Sequence, residues 1–260
     1  MLLLKKTTEV VAKIVEAHAT KQPIEFIRHQ YTLTEEEAYN IQDDVVEELK
    51  KQSNSDVAGY KISMTSVETQ AIANTHEPAY GTFLQAYIIN NQTEVQLDSL
   101  FSPLIEPEIL FVLEEDLSND ADAEEIIAKS KICAGIEIPD ARYMDWFPNF
   151  SLADLLADNT ATGLVVTSDL INPLSLDDFA KIDMQLFLND QKIAEGHSSA
   201  VLGNPVTSVE WLVKKLAAKG KSLTKGMVIS SGTFISPLKV QKGTYRVTYA
   251  DVGEVSVTFK

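Results

Sequence analysis

The stretch "LIEPEILFVL", residues 104–113, decides how this chain is read. Glu106 and Glu108 stand two apart inside an apolar run. In a strand, residues i and i+2 point to one face, about 7 Å apart along the backbone. The two carboxylates therefore point together, with Pro107 on the other face. Pro107 lacks an N–H, which predicts a strand edge or bulge there. The spacing alone also fits a solvated strand face. Leu104, Leu110 and Val112 argue instead for a buried strand, although an apolar run also fits a helix.

A buried carboxylate is costly without a partner. Glu137, in "KICAGIEI" (131–138), is the one acid inside the next apolar run. If that run is the neighbouring strand, it lies about 4.8 Å away and brings a third carboxylate. Two like charges about 4 Å apart cost roughly 4 kcal/mol at an effective dielectric near 20. Three in one pocket force at least one to hold a proton. A hard divalent cation removes the conflict, and an all-oxygen set fits Mg²⁺ or Mn²⁺. Three protein ligands leave room for a bidentate substrate and a water.

The bulk composition narrows the function classes. The 260 residues carry 22 Lys+Arg against 38 Asp+Glu, a net charge of −16. A surface this acidic repels nucleic acid and anionic membrane, so neither is expected as a partner. The single cysteine, Cys133, excludes a disulfide within the chain and a thiolate zinc cluster, and points to a reducing cytoplasm. The opening "MLLLKK" is too short for the apolar core of a signal peptide, and no run approaches the ~20 apolar residues that span a bilayer.

Helical patterning dominates the first 52 residues. "KKTTEVVAKIVEAHAT" carries Val10, Ile14 and Ala17 at helical spacing. Thr34 with Glu37 forms a capping box, and Ala38, Ile41, Val45 and Leu49 make the stripe behind it. A short helix is expected through "SVETQAIAN" (66–74). From about residue 80 the texture turns to short β-like runs: "LIEPEILFVL", "KICAGIEI", "GLVVTSDL", "IDMQLFLND", "KIAEG", "GMVISSGTF" and "TYRVTYADVGEVSVTF". Asn189-Asp190 reads as a hairpin turn. Two helices interrupt, "SLADLLADN" capped by Ser151 and "SVEWLVKKLAAKG" ending at Gly220. "LSNDADAEE" (117–125) reads as an acidic surface loop. The expected class is α+β, with a helical N-terminal region over residues 1–76 and a β-rich catalytic body over 77–260.

The motifs together resemble the fumarylacetoacetate hydrolase superfamily, in its 2-oxopent-4-enoate hydratase / 4-oxalocrotonate decarboxylase branch. The match runs through "GYKISMTS" (59–66), "EPAYGTFL" (77–84), "IEPEILFVLEEDL" (105–117), "GIEIPDARY" (135–143) and "LLADNTATG" (155–163). It continues through "LGNPVTSVEWLVKKLAAKG" (202–220) and "ISSGTFISPLKVQKGTYRVTYADVGEVSVTF" (229–259). The resemblance implies a mixed β-roll or β-sandwich body, a bound Mg²⁺ or Mn²⁺, and Glu106, Glu108 and Glu137 as its ligands. It places Lys61 of "GYK" in the active site. It also implies a homo-oligomer, or an assembly with a related hydratase or decarboxylase subunit, acting on a small 2-oxo acid.

Lys61 is expected as a cation near the substrate carboxylate and a carrier of protons. Arg142 fits a bidentate grip on Asp140 or on a substrate carboxylate. Asp158 and Asn159 cap and turn the helix begun at Ser151, and by resemblance border the pocket. Gly232 permits close backbone approach, and Thr233 offers a hydroxyl and an N–H to a carboxylate; an ordinary glycine turn fits the same residues. His76 beside Glu77 lacks the helical spacing of a His–Glu base pair, and His197 is read as a loop residue near the pocket. The chain departs from relatives at Ala79 and Ala161, where an acid and a serine are common. The leading expectation is a metal-dependent lyase of the 2-oxopent-4-enoate hydratase type, acting on a short 2-oxo or 2-hydroxy-dienoate. A 4-oxalocrotonate decarboxylase comes next, then an acylpyruvate C–C hydrolase or a non-catalytic scaffold subunit.

Overall fold

Two side chains fix where the second helix starts. The Thr34 hydroxyl accepts from the Glu37 amide at 3.1 Å, and the Glu37 carboxylate accepts from the Thr34 amide at 2.8 Å. Each satisfies a donor that the helix itself leaves free. A computed structural model describes residues 2–260, with side chains from residue 6; Met1 and the side chains of the rest of "MLLLK" lie outside the described residues.

The chain opens with α1 (Leu2–Thr20) and α2 (Glu35–Ser53). Strand β1 (Val57–Ser63), helix α3 (Val67–Ala73) and strands β2 (Ala79–Leu84), β3 (Ile88–Asn90) and β4 (Thr93–Val95) follow. The middle holds β5 (Leu104–Leu113), α4 (Ala123–Ala128), β6 (Ser130–Ile138), α5 (Leu152–Ala157) and β7 (Leu164–Thr167). Then come α6 (Leu176–Phe179), β8 (Asp183–Leu188), β9 (Gln191–His197) and α7 (Pro205–Ala217). Strands β10 (Val228–Ser230), β11 (Leu238–Lys239), β12 (Gly243–Tyr249) and β13 (Gly253–Phe259) end it. The class is α+β. None of the described helices is long and apolar enough to cross a membrane.

The larger sheet runs β2-β1-β10-β5-β6-β7-β3, with β11 on a second stretch of β5; the smaller runs β4-β13-β12-β8-β9. Tyr249 ties the two together by donating its hydroxyl to the Gly135 carbonyl at 2.7 Å. The apolar stripes of α1 (Val10, Ile14, Ala17) and α2 (Ala38, Ile41, Val45, Leu49) are buried in the core. Cys133, on β6, is fully buried, and burial pushes its thiol up to about 11.

Several local readings change. Pro107 lies inside β5, opposite Ile136 of β6, and not at a sheet edge. Its other flank falls between the β10 pairing at Leu110–Val112 and the β11 pairing at Leu104–Ile105, where the ladder is interrupted and a missing N–H leaves nothing unpaired. Residues 57–63, between the helical segments, form a strand of the larger sheet, paired with β2 on one side and β10 on the other. Part of the acidic loop is helix α4: Asp122 caps it, accepting from the Glu125 amide at 3.0 Å. Helix α7 begins earlier than the apolar stripe indicates, with Asn204 as cap and Pro205 in its first turn. The Asn189-Asp190 hairpin has both residues in the left-handed region, at φ 48° and 65°, as a two-residue turn between twisted strands requires.

Candidate metal centre

Antiparallel pairing places Glu106 of β5 directly opposite Glu137 of β6, and Glu108 opposite Gly135. Each of the three acids offers a carboxylate oxygen, and the three oxygens lie within 4.8 Å of one another. All three side chains are buried. Among the described residues this is the one group of three or more acids, histidines or cysteines close enough to share an ion.

The neighbours of Glu108 explain its position. Its Oε2 accepts from the Ser230 hydroxyl at 2.5 Å and from the Gly232 amide at 2.7 Å. Gly232 has φ +118°, and a Cβ there would sit 2.4 Å from Thr65 Oγ1, so glycine is required for the amide to reach the carboxylate. Lys61, on β1, is buried with its Nζ 2.5 Å from Glu137 Oε1. That contact is a close, buried ion pair. Glu137 Oε2 and Glu108 Oε1 receive no hydrogen bond.

Electrostatics reflect the crowding. Burial first, then the Glu137 charge, push Glu106 up to about 8 against the pull of Lys61. Burial with the Glu137 and Glu106 charges drives Glu108 well above the usual carboxylate range. Glu137 is also raised by burial, with Lys61 restraining it. For Lys61 burial acts downward, but the Glu137 and Glu106 carboxylates outweigh it and the net shift is upward. Orphaned, buried, mutually repelling oxygens are a donor set that suits a hard cation.

Of the three acids, Glu106 lines a pocket. Lys61, Ser63, Thr65, Glu106 and Thr233 supply its polar lining, and Trp146, Phe147 and Phe150 supply an aromatic wall. Thr160 and Ala161 line it too, in a left-handed turn with φ near 50° at Asn159, Thr160 and Ala161. Three consecutive non-glycine residues in that region carry strain. Hydrogen bonds hold the turn: Asn159 spans the Thr82 amide and carbonyl, and the Thr160 hydroxyl donates to the Tyr80 carbonyl.

The remaining expected site residues fall into two groups. Thr233 lines the pocket, its hydroxyl donating to the Ile235 carbonyl, while Gly232 serves Glu108. Arg142, Asp158 and Asn159 are buried but do not line the pocket. The Arg142 guanidinium is taken up by Asp158 and by the carbonyls of Asp158 and Thr162. His76 is exposed, and His197 sits at the surface with Nδ1 2.8 Å from the Ser199 hydroxyl; neither lines the pocket. Ser230 and the aromatic trio were not singled out by sequence spacing. Ser230 lies within "SSGTF" and the three rings within "WFPNF" (146–150), neither of which carries a periodicity that singles them out.

No family model matches the chain. A 2-keto-4-pentenoate hydratase of Burkholderia vietnamiensis is 31% identical over 226 residues, 85% of this chain and 85% of that protein. A 2-hydroxyhexa-2,4-dienoate hydratase of Comamonas testosteroni is 34% identical over 211 residues, 79% and 78% of the two chains. This chain belongs to the 2-keto-4-pentenoate hydratase family. Members of the fumarylacetoacetate hydrolase superfamily share its fold. A 4-oxalocrotonate decarboxylase from Pseudomonas putida G7, solved with magnesium and adipate, superposes with a TM-score of 0.89 over 98% of each chain at 23% identity.

Proposed function

We propose that the chain is a divalent-metal-dependent lyase that hydrates a short 2-hydroxydienoate through its 2-oxo tautomer. The observation that carries this reading is the buried trio Glu106, Glu108 and Glu137, with unsatisfied oxygens on Glu108 and Glu137, beside a pocket that Glu106 and Lys61 line. The trio would hold Mg²⁺ or Mn²⁺. When bound, the ion supplies positive charge to the 2-oxo-carboxylate end of the substrate and lowers the cost of negative charge developing there.

The chain's own residues do the rest. Gly232 and Ser230 orient Glu108. Lys61 Nζ offsets one of the three acid charges and carries the proton that moves to and from the substrate carbon chain. Thr233 offers its backbone N–H to the substrate carboxylate, since its hydroxyl proton is held by the Ile235 carbonyl. Arg142, Asp158 and Asn159 hold the turn at Thr160 and Ala161 in place behind the substrate. The larger sheet curls as a β-roll body, and copies of the chain assemble into a homo-oligomer. The buried, unpaired Cys133 fits a cytoplasmic setting.

Decarboxylation of a 2-oxo-3-enedioate is the second reading. Ala79 and Ala161 favour it: both are buried, Ala161 lines the pocket, and each presents a methyl where hydration would use a proton carrier. The test is turnover with Mg²⁺ or Mn²⁺. Formation of a 4-hydroxy-2-oxo acid from 2-hydroxypenta-2,4-dienoate supports hydration. CO₂ release from the enedioate, with no hydration, reverses the order, and no turnover of either removes both.

A further inference from the structure

One wall of the pocket is aromatic. Trp146, Phe147 and Phe150 form a three-ring cluster with centroids 5.6, 5.9 and 6.4 Å apart. The Trp146 indole N–H donates to the Ser102 carbonyl at 2.8 Å, so its polar atom is already used. Met64, Ile72 and Leu155 extend the apolar lining. Among the lining residues Lys61 is the only cation, and it is paired with Glu137. Hydroxyls of Ser63, Thr65, Thr69 and Thr160 also line the pocket, but no second cation does, so a second negative charge finds no ion-pair partner there.

Resting on the hydratase reading of the site, we propose that the enzyme takes 2-oxo acids with an uncharged, apolar tail and discriminates against dicarboxylates. A terminal carboxylate placed against the ring cluster loses its hydration and meets no cation. The net charge of −16 further disfavours a dianion over a monoanion. An alkyl or aryl tail exchanges water for ring faces, with discrimination of about tenfold or more per contact group.

The experiment compares 2-oxohexanoate with 2-oxoadipate, two six-carbon acids that share the head and differ by one terminal carboxylate. Dissociation constants are measured by calorimetry on the full chain with Mg²⁺, so no turnover is needed. The expected result is that 2-oxohexanoate binds at least about tenfold more tightly. Phe147 is only half-buried, and Phe147→Lys should shrink the ratio to about threefold or less; oxalate, which needs only the head, is titrated alongside to show that the head site survives. If Phe147→Lys loses oxalate binding, Phe150→Lys is the replacement variant. Equal or tighter binding of 2-oxoadipate overturns the inference, as does an unchanged ratio in a variant that still binds oxalate. Binding of neither acid overturns it too, and dienoate turnover then decides separately whether the hydratase reading stands.

Discussion

Glu108 takes two donors on Oε2, from Ser230 and Gly232, and none on Oε1. Its charge is tolerated by the fold only at a cost that an ion would offset. Glu108→Gln removes one of three clustered negative charges. The metal-free variant should therefore melt at the same temperature as the parent or a few degrees higher, where loss of a buried hydrogen-bonded group ordinarily lowers stability. It should also lose its response to Mg²⁺ and fall at least about a hundredfold in turnover. Paired melts with and without Mg²⁺ decide it: an undiminished Mg²⁺ response would remove Glu108 from the ligand set. At this scale the three acids were legible because two of them obey the period of a strand. The partners of Glu108 were not, since Ser230 and Gly232 reach it through the β10–β5 pairing, which spacing along one segment does not reveal. Arg142 shows the same limit. Its isolation in a chain with few arginines drew attention to substrate, but Asp158, sixteen residues on, claims the guanidinium.

Strand β1 was hidden in the sequence because it is buried along both faces, so "VAGYKIS" shows no alternation to read. Gly59 explains how it fits. Its φ is +154°, and a Cβ would lie 1.8 Å from the Val228 carbonyl oxygen on β10. Gly59→Ala should cost about 3 kcal/mol or more, read by chemical denaturation, and should depress turnover through Lys61 two residues away. A loss within about 0.5 kcal/mol would mean the strands part readily there. Helix α1 gives a pH dependence. Burial, then the charges of Arg142 and Lys21, lower His18 from 6.5 to about 2. Above pH 6.5 the histidine is neutral in both folded and unfolded chains. Below it, the unfolded chain binds a proton that the folded chain refuses, so stability falls as pH drops. From pH 6.5 to pH 5 the loss is about 2 kcal/mol, and His18→Gln should flatten that part of the profile in urea titrations. An equal slope in the variant would place the acid sensitivity elsewhere. The helices were the most legible elements, since capping boxes at Thr34 and Ser151 announce themselves within four residues.

Across the whole molecule, the two sheets and the helices before them share one core, and the acid trio sits inside it. Saturating Mg²⁺, at about 100 times its dissociation constant, adds about 2.7 kcal/mol to the folded state. For a chain of this size that is a rise of roughly 5–10 °C in melting temperature. A melt that ignores both Mg²⁺ and Mn²⁺ would leave the fold intact and remove the catalytic reading. The division at residue 76 that the texture change predicts is not visible in the sheet order, because β1 lies between β2 and β10. The sole cysteine lies on the same strand as Glu137, opposite Leu110 of β5. Its sulfur is sealed from water, so an alkylating reagent can reach it when β6 separates from its neighbours. Cys133 is thus an intrinsic stopwatch for that separation: labelling kinetics would time how often the central strands breathe, and how far a captured ion slows them.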